Sequence, residues 1–451
     1  MHSYGNPVLS ILVLALLAIM LLSPSPATAI RSPWGEMRVK HEWIYVPDNW
    51  VTLGHPPNSS TIDLHIALKP KRENALIDAL HEVSQPGGPK QVLFTTHLLE
   101  IDSSHFVPTL RFRYGAHLTK DQVADLVAPH PDTLRLVSSW LKYNGVRPSS
   151  ISATHGGGWL TVTGIPVAQV NEFLAASYQV YHHSGSNETI LRTIGYALPT
   201  ALHSHVQTIV PTTAFTSTRL LEQTPSNRSG GAAANLTFGG PVNISSHDFS
   251  FVHPSYLRSL YGTAEYTPLA MERNSLAIVG FDNDYPMRDD LEVFMAYFDP
   301  VTSATFTSVQ VNPGHGQYYP ADRANFRTQY SVAMSYPTPV TYYMVGGIPA
   351  RIMYPSGWPS PDDPLLSWLN YMISMESVPQ TINTGHSVSF EATIPQEYSV
   401  TLCRLFGVLG ARGATVLTPS GNSGVGPGNC QDPSGDVYFR PIFPASCTCS
   451  M

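Results

Sequence analysis

Arg323 and Arg327 stand four residues apart in the stretch YPADRANFRTQYSVAM, Tyr319–Met334. The stretch reads as one helix. Pro320 suits a first turn, Asp322 suits an N-terminus, and Ala324, Phe326, Tyr330 and Ala333 recur at three- and four-residue steps. Side chains four apart on a helix share a face. Two like charges in that relation cost about 0.2–0.5 kcal/mol in an isolated helix. A guanidinium accepts no hydrogen bond and keeps its proton, so neither arginine can act as a general base. Taken alone, the pair is a solvated basic face.

Other residue types that carry chemistry give weaker patterns. His182-His183 and the remaining histidines lack a His-Glu-x-x-His spacing, so they read as core or surface residues. Gly156–Gly158 precedes a strand rather than joining a strand to a helix, which argues against a phosphate-binding loop. Tyr342 and Tyr343, inside a strand pattern, read as packing. Cys403, Cys430, Cys447 and Cys449 all fall in the last fifty residues. In an oxidising compartment they could form disulfides in three pairings. Cys447-Thr448-Cys449 is a poor metal spacing without a second cluster, and no metal or other cofactor is expected.

The elements that would position these residues fall into two textures. Between His41 and Pro199 the expected order begins with a strand over Ile62–Leu68 and a helix over Asn74–Val83. A helix capped by Thr119 with Gln122 follows, then one opened by Pro131 and striped by Leu134, Val137, Trp140 and Leu141. A strand at Trp159–Thr163, a helix at Val167–Ala176 and a closing strand at Leu191–Ala197 complete an α+β unit. Residues 200–245 are rich in Ser, Thr, Pro, Gly and Ala and read as a linker open to processing. Strands and helices then alternate: Leu276–Phe281, Arg288–Phe298, Thr305–Val311, the arginine helix, Thr341–Val345, Pro364–Ile373, Thr381–Thr384, Gln396–Leu409 and Ala414–Thr418. Repeated βα units imply a parallel sheet with helices on both faces.

The first 29 residues are of targeting type. Val8–Leu22 is apolar but for Ser10, and Ala27-Thr28-Ala29 offers a small-x-small cleavage site before Ile30. The run is too short to span a bilayer, where about 20 apolar residues are needed. A secreted, extracellular chain with no membrane anchor after cleavage is the expectation. Asn58, Asn187, Asn227, Asn235 and Asn243 each open a glycosylation triplet, which agrees with that compartment. At 451 residues, with 43% hydrophobic residues, there is room for two or three folded domains. A net charge of −7 and the lack of a basic stripe argue against nucleic acid as a partner.

Three groups of residues carry a resemblance beyond texture. They are Leu118–Trp140 with His155–Gly164, Tyr256–Thr263 (YLRSLYGT), and Leu409–Gly426 with Phe443–Cys447 (FPASC). Together they resemble the sedolisin family, the serine-carboxyl peptidases, in the secreted fungal tripeptidyl-peptidase branch. The resemblance implies a ferredoxin-like activation prodomain over residues 30–199, the linker over 200–245, and a partial, C-terminally truncated subtilisin-like α/β peptidase domain over 246–451. It also implies peptide substrates, and a Glu general base beside an Asp that orients it, four residues apart on one helix. A further Asp in a Ser-Gly-Asp segment would, when protonated, donate to the oxyanion.

This sequence departs from that pattern at the residues that matter. The family's Glu-Ala-Asn-Leu-Asp falls on Arg323-Ala324-Asn325-Phe326-Arg327, so both carboxylates are replaced by guanidinium groups. Asp322 lies one residue off, about 100° around the helix. The oxyanion position falls on Asn422, whose amide can still donate. The resemblance places the serine nucleophile in a Gly-Thr-Ser motif, and the family's calcium site, beyond Cys447; neither is found before Met451. The expectation is a homologue without peptidase activity. The alternative is a prodomain-type inhibitor or folding helper that docks on an active sedolisin peptidase. A third reading is a relic whose α/β half leaves a sheet edge unpaired.

Overall fold

A computed structural model describes residues 33–85, 114–184, 189–216, 252–281, 284–299, 304–312, 322–346, 363–385, 389–421, 439 and 441–447. The targeting segment, Pro320, the triplets at Asn187, Asn227, Asn235 and Asn243, the oxyanion position Asn422, and Cys430 and Cys449 lie outside the described residues.

The first unit contains strands β1 (Met37–Glu42), β2 (Trp50–Gly54) and β3 (Thr61–Leu68), then helices α1 (Ala75–Ser84), α2 (Lys120–Val127) and α3 (Pro131–Tyr143). It continues with β4 (Ile151–Ala153), β5 (Trp159–Pro166), α4 (Val167–Phe173), β6 (Gln179–His183), β7 (Thr189–Arg192), β8 (Gly195–Pro199) and β9 (Val206–Val210). The main sheet runs β4-β5-β3-β9, antiparallel throughout. Ile62, Leu64 and Ile66 of β3 pack with Val137, Trp140 and Leu141 of α3, all of them buried. Local chemistry sets the helix starts. Thr119 and Gln122 form the expected capping box, and the His130 side chain accepts from the Asp132 N–H ahead of Pro131.

Three expectations are corrected here. The closing strand at Leu191–Ala197 is two strands, because Thr193 and Ile194 turn the chain from β6, the partner of β7, to β1, the partner of β8. The helix expected to reach Ala176 ends at Phe173, and Ala175 takes a positive φ of 46°. The linker does not begin at residue 200. Val206–Val210 pairs with β3, and Ala214 and Phe215 are buried, so the folded unit runs through the apolar Val-Pro-Thr-Thr-Ala-Phe stretch that closes it.

The second unit comprises α5 (Pro254–Leu260), β10 (Leu276–Phe281), α6 (Arg288–Phe298), β11 (Phe306–Val311), α7 (Asp322–Ser335), β12 (Val340–Val345), α8 (Pro364–Ser374) and β13 (Thr381–Asn383). It ends with β14 (Ser389–Phe390), α9 (Gln396–Ala411), β15 (Thr415–Leu417) and β16 (Ile442–Phe443). Its sheet order is β11-β12-β10-β13-β15, every pair parallel, as the alternating pattern implies. Both faces are covered. Ala277, Val279 and Phe281 pack with α8 and α9, whereas Ile278 packs with α6 and α7.

The two units share cores. Leu76 and Leu80 of α1 and Val123 of α2 pack against Val408 and Ala411 of α9. Ala67, Trp159, Val210 and Ala214 join the cluster of Leu402, Leu405 and Leu409. The Leu118 N–H donates to the Ala411 carbonyl at 2.9 Å across the same junction. No helix among the described residues is long and apolar enough to cross a membrane.

Candidate functional site

In the parallel sheet the chain leaves β10 toward β11 on one side, and after β12 crosses to β13 on the other. The carboxyl ends of β10 and β13 therefore flank a topological switch point, the place where open α/β sheets form their functional crevice. Helix α7 is aimed at it. Ala324, Thr328, Val332 and Ala333 form its buried stripe, so the helix lies on the sheet with Arg327 beside the strand ends. Phe326, expected inside, is 61% exposed. The inward stripe steps by four from Ala324 and carries Phe326 to the outer face, where its ring meets Tyr330.

Arg327 is not on a solvated face. Its side chain is 10% exposed, and its guanidinium is ion-paired with the Asp284 carboxylate, itself 10% exposed. Nη1 donates to the Val279 carbonyl of β10 at 3.3 Å and to the Thr384 carbonyl just past β13 at 3.4 Å. Nε donates to the Arg323 carbonyl at 3.3 Å. The guanidinium thus sits in the switch point and bonds to both strands that form it. Arg323 is exposed, so the spacing that puts both arginines on one helical face leaves only the second inside.

The surroundings are built to hold that cation. Gly385, at φ +55°, lies against the Arg327 side chain, and a Cβ there would overlap the guanidinium. Gly280 does the same for the Tyr342 hydroxyl, which donates to the Asp284 carbonyl oxygen at 2.8 Å. Burial pushes the Tyr342 phenol far above its ordinary pKa, against the opposing effect of Arg327, so the hydroxyl keeps its proton and remains a donor. Asn325 fixes the helix from the other side: its Oδ1 accepts from the Met287 N–H at 2.8 Å and its Nδ2 donates to Asp290.

Asp284 was not singled out by the sequence reading. The signal was there: an acidic residue three positions past the apolar strand Leu276–Phe281, hence at the carboxyl end of a central parallel strand. Chemically the arrangement is a neutralised ion pair under a donated phenol. Its cation cannot accept a proton, and its anion is engaged by that cation.

The remaining expected site residues are dispersed. Cys403 and Cys447 form a disulfide, which selects one of the pairings left open. It ties α9 to the segment after β16. Asn58 is exposed in a turn before β3. His182 and His183 lie in β6, with His183 buried against the Trp50 ring at 4.9 Å. Tyr342 and Tyr343 are both buried packing residues, but Tyr342 also serves the site. No group of three or more His, Cys, Asp or Glu that could hold a metal ion occurs among the described residues.

The model of the pro-kumamolisin activation domain matches residues 110–215, an interval that contains β9 and ends at the buried Phe215. These matches support the resemblance to the sedolisin family, the serine-carboxyl peptidases, in its fungal tripeptidyl-peptidase branch. The relatives this chain matches are fungal tripeptidyl-peptidases. It is 28% identical over 455 residues to a probable tripeptidyl-peptidase SED2 of Trichophyton verrucosum, covering 96% of this chain and 69% of that protein. It is 28% identical to tripeptidyl-peptidase SED2 of Arthroderma otae with the same coverage, and 26% identical to tripeptidyl-peptidase SED4 of that organism. Among solved structures, Pseudomonas sedolisin complexed with two molecules of pseudo-iodotyrostatin aligns at 19% identity and a TM-score of 0.33. That alignment spans 44% of this chain and 52% of the other.

Proposed function

We propose that this chain is a secreted, glycosylated sedolisin-type homologue that does not hydrolyse peptides. In this reading residues 30–216 form a ferredoxin-like activation unit, and the subtilisin-like α/β unit that follows retains the site's position without its chemistry. The observation that carries the proposal is Arg327. The helix position at which the resemblance puts an orienting carboxylate holds a buried cation, bonded to two strand-end carbonyls and paired with Asp284. Arg323 replaces the general base, and a guanidinium cannot take a serine proton. Peptides remain the ligand class that the family relationship suggests.

The alternative, an inhibitor or folding helper acting on another peptidase, meets an obstacle. The α1 and α2 face of the first unit, the one turned to the second unit, is already covered by α9 of the same chain. A partner would have to displace it.

The test is an acid incubation of the purified chain with a peptide substrate that reports tripeptide release, alongside a gel that follows cleavage in residues 217–251. We expect no release and an uncut band. Substrate turnover that co-purifies with the chain and disappears on Asp322→Asn would overturn the proposal.

A further inference from the structure

A cavity of about 170 Å³ lies at the junction of the two units, between α1 and α2 on one side and α8 and α9 on the other. Its wall is mainly apolar, with Leu68, Leu76, Val123, Leu405 and Val408 buried in it. A hollow of this size has room for a small organic molecule; a cavity of about 150 Å³ takes benzene.

Polar groups at its wall divide into committed and uncommitted. Lys120 Nζ donates to the Ser374 carbonyl at 2.6 Å and lies 3.7 Å from Glu376. Arg412 donates to the carbonyls of Ile373, Met375 and Glu376. His155 is bonded to Asp121 at 2.8 Å. Arg72 and Glu73, of opposite charge, are exposed at the start of α1. Arg404 differs from all of these. It is half-buried on α9, lines the cavity, and its guanidinium makes no hydrogen bond or ion pair among the described residues. The side-chain amides of Gln207 and Asn370 line the same space and are likewise uncommitted.

A half-buried cation with five free donors beside an aliphatic wall is complementary to one kind of molecule. We propose that this cavity binds a medium-chain aliphatic carboxylate, its head taken by Arg404 and its chain laid along Leu68, Val123, Leu405 and Val408. A neutral chain of the same length leaves the guanidinium unmet, and the other cations of the wall are committed to carbonyls (Lys120, Arg412) or lie exposed beside Glu73 (Arg72). Because the wall is drawn from both units, the occupant bridges them and stabilises their docking by mass action. This inference is independent of whether the switch-point site hydrolyses peptides.

Octanoate and 1-octanol, titrated calorimetrically into the full chain, separate the possibilities. Octanoate is expected to bind saturably at one site, at least about tenfold more tightly than octanol, and to raise the melting temperature. Arg404→Met is expected to weaken octanoate to the level of octanol and leave octanol binding unchanged, which also shows that the variant keeps the cavity. Equal affinities for the two compounds, no saturable octanoate binding, or undiminished octanoate binding by Arg404→Met would each overturn the proposal. If the variant does not fold, the ratio of the two affinities in the unaltered chain decides alone.

Discussion

The Arg327 guanidinium and the Asp284 carboxylate, 43 positions apart in sequence, form an ion pair in which each side chain is 10% exposed. Carbonyls of Val279 and Thr384 and the Tyr342 hydroxyl complete the shell around it. Removing one partner of such a pair leaves an uncompensated buried charge. Asp284→Ala is expected to destabilise the chain by about 3–5 kcal/mol. The double change Asp284→Ala with Arg327→Met, which removes both charges, is expected to recover most of that loss in urea unfolding.

Carboxylates placed at positions 323 and 327 should separate the two arginines. Arg323 is exposed, and Arg323→Glu is expected to change stability by no more than about 0.5 kcal/mol. Arg327→Asp instead sets a second anion beside Asp284 and strips both strand-end carbonyls of their donor. A loss of several kcal/mol is expected on the scale of a broken buried pair, about 3–5 kcal/mol. Equal melting temperatures for the two variants would contradict this assignment of Arg327 to the interior.

Acid should weaken the first unit through two histidines. Burial lowers the pKa of His41, against a smaller raising effect of Glu397; burial, then His182, lowers that of His183. Each folded ring therefore binds a proton less readily than in the unfolded chain, whose value is 6.5. Stability is expected to fall as pH drops through 6.5 and to level off below the folded values. Thermal melts of the double variant His41→Gln, His183→Gln should show a shallower decline over that window.

The Cys403–Cys447 bridge closes a loop with a sequence separation of 44. Chain-entropy reasoning gives about 4 kcal/mol for such a loop. Cys403→Ser with Cys447→Ser is expected to lower unfolding free energy by about 2–4 kcal/mol. A shift below about 1 kcal/mol in urea would show that the bridge does not constrain the unfolded chain.

Much of the fold was legible because its signals are local. The bounds of α6 match the sequence reading, and those of β10 do too, since an apolar run or a stripe at helical spacing needs no distant partner to be recognised. The Thr119 capping box was legible for the same reason. Strands β1, β2 and β6 were missed. β1 keeps Met37 and Val39 exposed, β2 keeps Val51 and Leu53 exposed, and both are held by pairing with chain more than a hundred residues away. Phe326 was misplaced because a four-residue stripe from Ala324 and the three- and four-residue steps through Phe326 fit the same sequence equally well. Only the sheet beneath α7 chooses between them.

By itself the sequence determined what two helix positions cannot do. Residue type makes Arg323 and Arg327 guanidinium groups, and no fold gives Arg an acceptor. What became of that charge was decided by tertiary structure alone. Parallel pairing brings the ends of β10 and β13 together, Gly385 leaves room between them, and Asp284 arrives on the loop after β10. A solvated face and a buried, neutralised cation have the same sequence pattern; the difference is a partner that only the fold can deliver.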